Sequence, residues 1–391
     1  MKGDKMMEKL PEGWKKVRLG KVIQYKQPTK YIVKSEKYDE QTGIPVLTAG
    51  KSFILGYTDE EGVFTDVPVI IFDDFTTESK WVNFPFKVKS SALKILKVRN
   101  SENNLYFFYN LMQILNFKPG SEHKRFWISE YSKLTVSVPP LPEQRKIAEI
   151  LETVDNAIEK TDKIIEKYKR IKQGLMQDLL TKGIVENYEL GIRNYELRNE
   201  KRHKFKDSPL GRIPEEWEAV RLGEVLVYEQ PWKYAVKSEK YDQSHGTPVL
   251  TAGKSFILGY TEEKDGIFTK LPAIIFDDFT TESRFVNFPF KVKSSALKIL
   301  KTRDNSFDIF FLFNILQTIR LKPGSEHKRF WISEYSKLSV FIPPLPEQHR
   351  IASILSQIDE TIEKEQKYKE KLEKIKRGLM EDLLTGKVRV N

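Results

Sequence analysis

The sequence predicts an α+β chain: two mixed α/β domains alternating with two long helices that pair as an antiparallel coiled coil. Three observations predict it. Long passages occur twice at a nearly constant offset, and each copy closes on a segment with apolar residues at coiled-coil spacing. The 391 residues, with 39% hydrophobic and 12% aromatic content, also suffice for more than one buried core.

The repeat sets the order of elements. PVLTAGKSFILGYT stands at 45–58 and, unchanged, at 248–261. FDDFTTES recurs at 72 and 276, VNFPFKVKSSALKILK at 82 and 286, KPGSEHKRFWISEYSKL at 118 and 322, and PPLPEQ at 139 and 343. The offset is 203 residues at first and 204 after the loop TDEEG, which reads TEEKDG in the second copy. Units this long are whole domains rather than solenoid repeats. The expected divisions are a mixed domain at 1–139, a helix at 140–182, a linker at 183–210, a second mixed domain at 211–343 and a second helix at 344–387.

Each mixed domain shows strand-like runs (69–72 and 92–96 in the first) and a helical stretch near 105–115. PPLPEQ then opens a helix. Pro142 and Pro346 suit its first turn, and Glu143 and Glu347 complement the helix dipole. The first stripe runs Ile147, Leu151, Val154, Ile158, then Tyr168, Ile171, Leu175, Leu179. The second runs Ile351, Leu355, Ile358, Ile362, then Leu372, Ile375, Leu379, Leu383. A register slip is expected near Thr161 and near Glu365. About 38 residues without proline give roughly 57 Å of helix. The two stripes match in length and register, so each is expected to bury the other. The polar segment 184–212, with its echo NYELGIR and NYELRNE, reads as a linker that, extended, lets the chain return so that the helices run antiparallel.

The formal charge of +11 favours a polyanionic partner, because neutralised phosphates release counterions. No run of eighteen apolar residues exists, which argues against a membrane span or a membrane partner. The first residues lack the apolar core of a signal peptide, so a cytoplasmic location is expected. With no cysteine, disulfides and thiolate zinc sites are excluded, and the five histidines show no metal spacing.

Two motifs imitate catalysis. Asp73, Asp74, Glu78 and Lys80 loosely echo the carboxylates and lysine of Mg²⁺-dependent nucleases. The second copy reads Asp277, Asp278, Glu282 and Arg284, and a guanidinium cannot shuttle a proton. NFPF at 83–86 and 287–290 resembles the Asn-Pro-Pro-aromatic motif of adenine methyltransferases but lacks its first proline and any glycine-rich cofactor loop. A turn packing two phenylalanines explains it more simply. No active site, metal or cofactor is expected in this chain.

The polar loops suit DNA recognition. In the first copy they carry Lys51, Ser52, Thr76, Thr77, Ser79, Lys80, Lys89, Ser90, Ser91, Gly120, Ser121, His123, Lys124 and Arg125. The second copy repeats them as Lys254, Ser255, Thr280, Thr281, Ser283, Arg284, Lys293, Ser294, Ser295, Gly324, Ser325, His327, Lys328 and Arg329. Hydroxyls and backbone amides suit phosphates, while lysine and arginine reach phosphates or guanine edges. Phe126 and Trp127 are expected to anchor their loop in the core.

With these passages in view, the chain resembles the specificity subunits of Type I restriction–modification enzymes. The resemblance rests on LPEGWKKVRLG and IPEEWEAVRLG opening the domains, and on EQRKIAEILETVDNAIEK and EQHRIASILSQIDETIEK opening the helices. GLMQDLLTKG and GLMEDLLTGK close them. It implies two target recognition domains that each read half of a split site on double-stranded DNA. It implies, too, a helix pair that acts as a ruler and docks two methyltransferase subunits, with restriction subunits joining later. S-adenosylmethionine would sit in the methyltransferase partner, with ATP and Mg in the restriction partner. Family members usually carry two different recognition domains; here they are nearly the same, which implies an interrupted palindrome. A Type IIB-like restriction system shares the layout, and a non-DNA coiled-coil docking scaffold is the alternative of another class.

Overall fold

The computed structural model describes residues 10–49, 52–115, 117, 125–189, 192–209, 211–252, 255–319 and 329–390. The chain divides into two compact units, Met1–Lys163 with Gln366–Asn391, and Ile164–Glu365. Each unit thus holds one mixed domain, the first part of one long helix and the last part of the other.

In the first unit β1 (Lys15–Arg18) leads through a one-turn helix, α1 (Leu19–Val22), into β2 (Ile23–Lys26). Then follow β3 (Ile44–Leu47), β4 (Ile54–Thr58), β5 (Val69–Asp73), β6 (Ser79–Val82), β7 (Lys87–Val88) and β8 (Leu93–Val98). The helices α2 (Leu105–Ile114) and α3 (Phe126–Ser129) precede β9 (Thr135–Val138) and the long α4 (Leu141–Leu179). An antiparallel sheet runs β2-β8-β5-β6, a smaller one β4-β3-β7, and β1 pairs with β9. Side chains alternate across a strand, so β5 serves two cores. Ile70 and Phe72 pack towards α2, Trp127 and α4, while Val69 and Ile71 pack with Leu47, Phe64 and Phe86. This explains a strand buried throughout. Phe84 is half-buried against that second core and Phe86 fully buried in it, so NFPF is the packing turn expected.

The second unit begins with two hairpins. β10 (Ile184–Glu189) pairs with β11 (Ile192–Leu197), and β12 (Phe205–Ser208) with β13 (Gly211–Pro214). The segment expected to be an extended linker is therefore folded back on itself. Its first hairpin is seated by Arg350, whose guanidinium lies 4.1 Å from the centre of the Tyr195 ring. There follow β14 (Glu218–Arg221), α5 (Leu222–Val225), β15 (Leu226–Glu229), β16 (Thr247–Leu250), β17 (Ile257–Thr261), β18 (Ala273–Asp277) and β19 (Ser283–Val286). Last come β20 (Lys291–Val292), β21 (Leu297–Thr302), α6 (Ile309–Thr318), α7 (Phe330–Ser333), β22 (Ser339–Ile342) and α8 (Leu345–Leu384). The sheets β15-β21-β18-β19 and β17-β16-β20 repeat those of the first unit.

The long helices start where PPLPEQ places them. Gln144 donates to the Pro139 carbonyl and accepts from Asn104 N, and Asn104 in turn caps α2 by accepting from Phe107 N at 2.9 Å. Glu143 does more than complement a dipole: it accepts from Trp14 Nε1 and from Arg389. In the second unit Glu347 does the same for Trp217 Nε1 and Arg198. Beyond α4 the chain turns at Gly183, whose φ of +67° is in the left-handed region. A Cβ there would strike Glu347, Trp217 and Arg198, so the position requires glycine twice over.

The helices pair antiparallel in each unit. In the first, Asp155 meets Lys376 at 2.6 Å and Asp162 meets Lys369 at 2.7 Å, partner numbers falling as α4 numbers rise. In the second, Lys172 meets Asp359 at 2.7 Å. Ile147 and Leu151 are buried with Leu383, and Leu179 with Ile351 and Leu355. Ile362 is buried, and Val154, Ile158, Leu175, Ile358 and Leu379 are half-buried.

No register slip occurs. Alternating steps of four and three carry the seam from Leu151 through Val154, Ile158, Thr161, Ile165, Tyr168 and Lys172 to Leu175. Thr161 and Ile165 are buried, whereas Ile171 and Ile375, read as stripe members, lie beside the seam and are 40% and 53% exposed. Polar seam residues, among them Lys172, Lys369 and Lys376 pairing with aspartates of the other helix, simulate a slip when only apolar positions are followed.

Candidate nucleic-acid interface

Three described segments of the first domain that carry expected DNA contacts are fastened together at Asp74. Its backbone N–H donates to the Ala92 carbonyl at 3.0 Å, and its own carbonyl accepts from Phe126 N at 2.9 Å. Its side chain accepts from Trp127 N at 2.8 Å through Oδ1, and its Oδ2 lies 3.0 Å from Lys94 Nζ. Both charged side chains are fully buried. Lys94 also donates to the Ser91 carbonyl at 2.9 Å. The turn 73–79, the loop 89–92 and the start of α3 therefore share one origin. The second domain repeats the arrangement at Asp278, with Ala296, Phe330, Trp331, Ser295 and Lys298.

These bonds settle how DDFTTES is used. Asp73 accepts from Phe75 N and from Thr76 Oγ1 at 2.6 Å, closing the turn, and Thr77 N donates to its carbonyl. Asp73 and Asp74 thus bind the fold's own donors, and no group of three or more metal-ligating acids and histidines occurs among the described residues. Thr77 and Thr281 both stand at φ +64°, a conformation strained for β-branched residues. Such strain persists where the surroundings impose it, here at the tip of each expected recognition turn.

The expected contacts fall into distinct groups. Ser52, Thr76, Lys80, Ser90 and Arg125 are exposed, as are Ser255, Thr280, Arg284, Ser294 and Arg329. Thr77, Ser91, Thr281 and Ser295 are half-buried. Lys89 and Lys293 are held by Glu36 and Glu239 at 3.0 and 2.9 Å and lie over the rings of Tyr38 and Tyr241. Ser79 and Ser283 are corrected: each turns inward and accepts from the side-chain amide of Gln113 or Gln317, bracing the sheet against α2 or α6 rather than presenting a hydroxyl. Lys51, Gly120, Ser121, His123, Lys124, Lys254, Gly324, Ser325, His327 and Lys328 lie outside the described residues. Phe126 and Trp127 are buried anchors, as expected.

Sequence reading missed Asp74 and Lys94 as organisers, because an ion pair twenty residues apart depends on the sheet that joins them. It also missed Phe75 and Ile128, 41% and 50% exposed beside the turn, although a large apolar residue next to polar turn residues was a visible signal. One difference between the copies has a structural effect. Beside Lys80 a cavity of about 240 Å³ opens between Thr48, Phe53, Asp73 and Leu93. Its counterpart is only about 20 Å³, with Arg284 in its wall and 5.7 Å from the centre of the Phe256 ring.

Fold and surface together define a class: a duplicated protein that presents two similar polar, basic loop clusters on rigid domains and carries paired helices. Comparison with known proteins makes the class specific. The family described as "Type I restriction modification DNA specificity domain" matches at residues 11–170 and 214–374. A putative Type I restriction enzyme MjaX specificity subunit from Methanocaldococcus jannaschii is 31% identical over 76% of this chain and 72% of its own length. The MjaVIII specificity subunit of that organism is 29% identical over 98% and 94%. The EcoR124I/EcoR124II specificity subunit of Escherichia coli is 46% identical over 142 residues, and the chain spans only 35% of that relative's length. The fold is shared with the Type-I restriction-modification system S subunit from M. genitalium, at a TM-score of 0.65 and 15% identity over 97% of both chains.

The chain belongs to the specificity-subunit family of Type I restriction–modification systems. Recognition of a DNA site and recruitment of partner subunits is that family's general role. No helix among the described residues is long and apolar enough to cross a membrane.

Proposed function

We propose that the two mixed domains read the two halves of an interrupted palindrome in double-stranded DNA. The chain does no chemistry itself and directs partner methyltransferase and restriction subunits to that site. The observation that carries the reading is the repetition of the loop origin: Asp74 with Lys94 and Asp278 with Lys298 fix nearly the same side chains in nearly the same places. Two nearly equal surfaces suit equal half-sites on opposite strands. The half-site centres lie about one helical turn, roughly 10 bp, apart on one face of the duplex.

The helices are the docking elements for two methyltransferase subunits. S-adenosylmethionine belongs to those partners, and ATP and Mg to the restriction subunits. Exposed Ser52, Thr76, Lys80, Ser90 and Arg125 and their counterparts serve phosphates and base edges. Sequencing the methylated sites after co-expression with the methyltransferase subunit tests this. An interrupted palindrome is expected; two unrelated half-sites overturn it. A purified complex without salt-dependent DNA binding would favour a docking scaffold instead.

A further inference from the structure

The two domains part company at the turn after β2 and β15, where QPTKY (residues 27–31) answers QPWKY (residues 230–234). Gln230 adjoins the candidate DNA surface: its Oε1 accepts from Lys298 Nζ at 3.4 Å, and that ammonium lies 3.2 Å from Asp278 Oδ2 and 3.5 Å from the Ser295 carbonyl. The 3₁₀ turn Pro231–Tyr234 packs on β20 and β21. Tyr234 Oη donates to Glu229 at 2.8 Å, Lys233 pairs with the same carboxylate at 2.8 Å, and Lys301 closes its other side. Burial alone would raise the Glu229 carboxyl, but hydrogen bonds from Lys233, Lys301 and Tyr234 hold it down at about 2. Charged at neutral pH, it ties Lys233, Tyr234 and Lys301 together at the base of the turn.

What this turn displays is Trp232. Pro231 and Tyr234 are buried, while the indole is 66% exposed, more than any other large apolar side chain among the described residues. Of the other tryptophans, Trp14, Trp127, Trp217 and Trp331 are buried and Trp81 is half-buried. A flat apolar ring held beside lysines at the edge of a basic, hydroxyl-rich surface is suited to the sugars and bases of DNA. The first unit has Thr29 here, and Lys26 in place of Glu229, donating to Tyr31 Oη at 3.1 Å.

Resting on the reading of both domains as DNA readers, we infer that Trp232 is a DNA contact found in the second domain alone. It lays its indole against the sugar and base at the margin of that half-site. The two nearly identical domains therefore grip their half-sites with unequal affinity.

The test uses the complex of the full chain with its methyltransferase subunits and a duplex bearing the site found by methylome sequencing. Trp232→Thr weakens binding about tenfold, the scale of one lost aromatic contact to a base. The slope of affinity against salt stays unchanged, because no phosphate contact is lost. Trp232→Phe retains most of the affinity, and Thr29→Trp tightens binding by a similar factor. Binding by Trp232→Thr within about twofold of the unaltered complex overturns the inference while leaving the DNA-reading proposal intact. Loss of methyltransferase subunits from the Trp232→Thr complex also overturns it, by placing the indole on a protein. Absence of DNA binding by the unaltered complex overturns both.

Discussion

Replacing Lys94 by methionine tests the common origin of the recognition segments. The ammonium is fully buried, 3.0 Å from Asp74 Oδ2, and donates to the Ser91 carbonyl. Methionine fills similar space but leaves the carboxylate without its counter-charge. Breaking such a pair from one side costs about 3–5 kcal/mol. At about 1.4 kcal/mol per factor of ten, that is roughly a hundredfold to a few thousandfold in the population of the opened domain.

Hydrogen exchange reads this directly, because the amides of Asp74, Phe126 and Trp127 all bond across the junction. Their exchange should accelerate by that factor in Lys94→Met, while the amides of Asp278, Phe330 and Trp331 in the second unit serve as an unaltered reference. Adding Asp74→Asn removes the stranded charge yet keeps an oxygen for Trp127 N, so the double variant should recover much of the loss. Unchanged exchange in the single variant, or a double variant as damaged as the two singles summed, would refute the argument.

Arg125→Ala with Arg329→Ala should weaken DNA binding and relax the methylated consensus, since both guanidinium groups leave exposed positions at the start of α3 and α7; an unchanged methylome removes them from the readout. Leu151→Asp or Leu355→Asp places a charge in a fully buried seam and should unfold the helix pair or release the methyltransferase, as seen by sizing chromatography. Thr77→Gly should stabilise the first domain by about 1 kcal/mol in urea titration by relieving φ +64°, while lowering DNA affinity through a looser turn. Glu229, held at about 2, contributes stability that is complete above the ordinary carboxylate range and is lost as pH falls towards 2. Glu229→Gln should therefore differ from the unaltered protein in thermal unfolding at neutral pH, with the gap narrowing through that acid window.

Features that depend on neighbours in sequence were legible; those that depend on neighbours in space were not. The repeat, the helix starts at PPLPEQ and the anchors Phe126 and Trp127 are local patterns that tertiary packing left in place. The seam was read correctly at Ile147, Leu151, Leu179, Ile351, Leu355 and Leu383 but misread in the middle, where Lys172, Lys369 and Lys376 hold heptad positions by pairing with aspartates. The hairpins of 184–214 were concealed by their polarity, although the echoed segment around Gly191 carried a hairpin signal. DDFTTES looked reactive because a buried structural pair and a catalytic pair use the same residues. Arg284 in the second copy argued against catalysis from the sequence, and Lys94, distant in sequence, shows what Asp74 does instead.

The way the recognition segments are anchored separates foundation from readout. Asp74, Lys94, Gln113 and the backbone bonds fix where the loops stand, and the exposed side chain of Lys80 takes no part in these bonds. The two copies already illustrate the freedom this gives: Arg284 replaces Lys80 and changes the adjoining cavity while the hub around Asp278 stays intact. On the reading proposed above, a chain built in this way changes the DNA site it reads by substitution at a few outward positions. Because the hub occurs twice, at Asp74 and at Asp278, the outward residues of one domain can change while those of the other are kept.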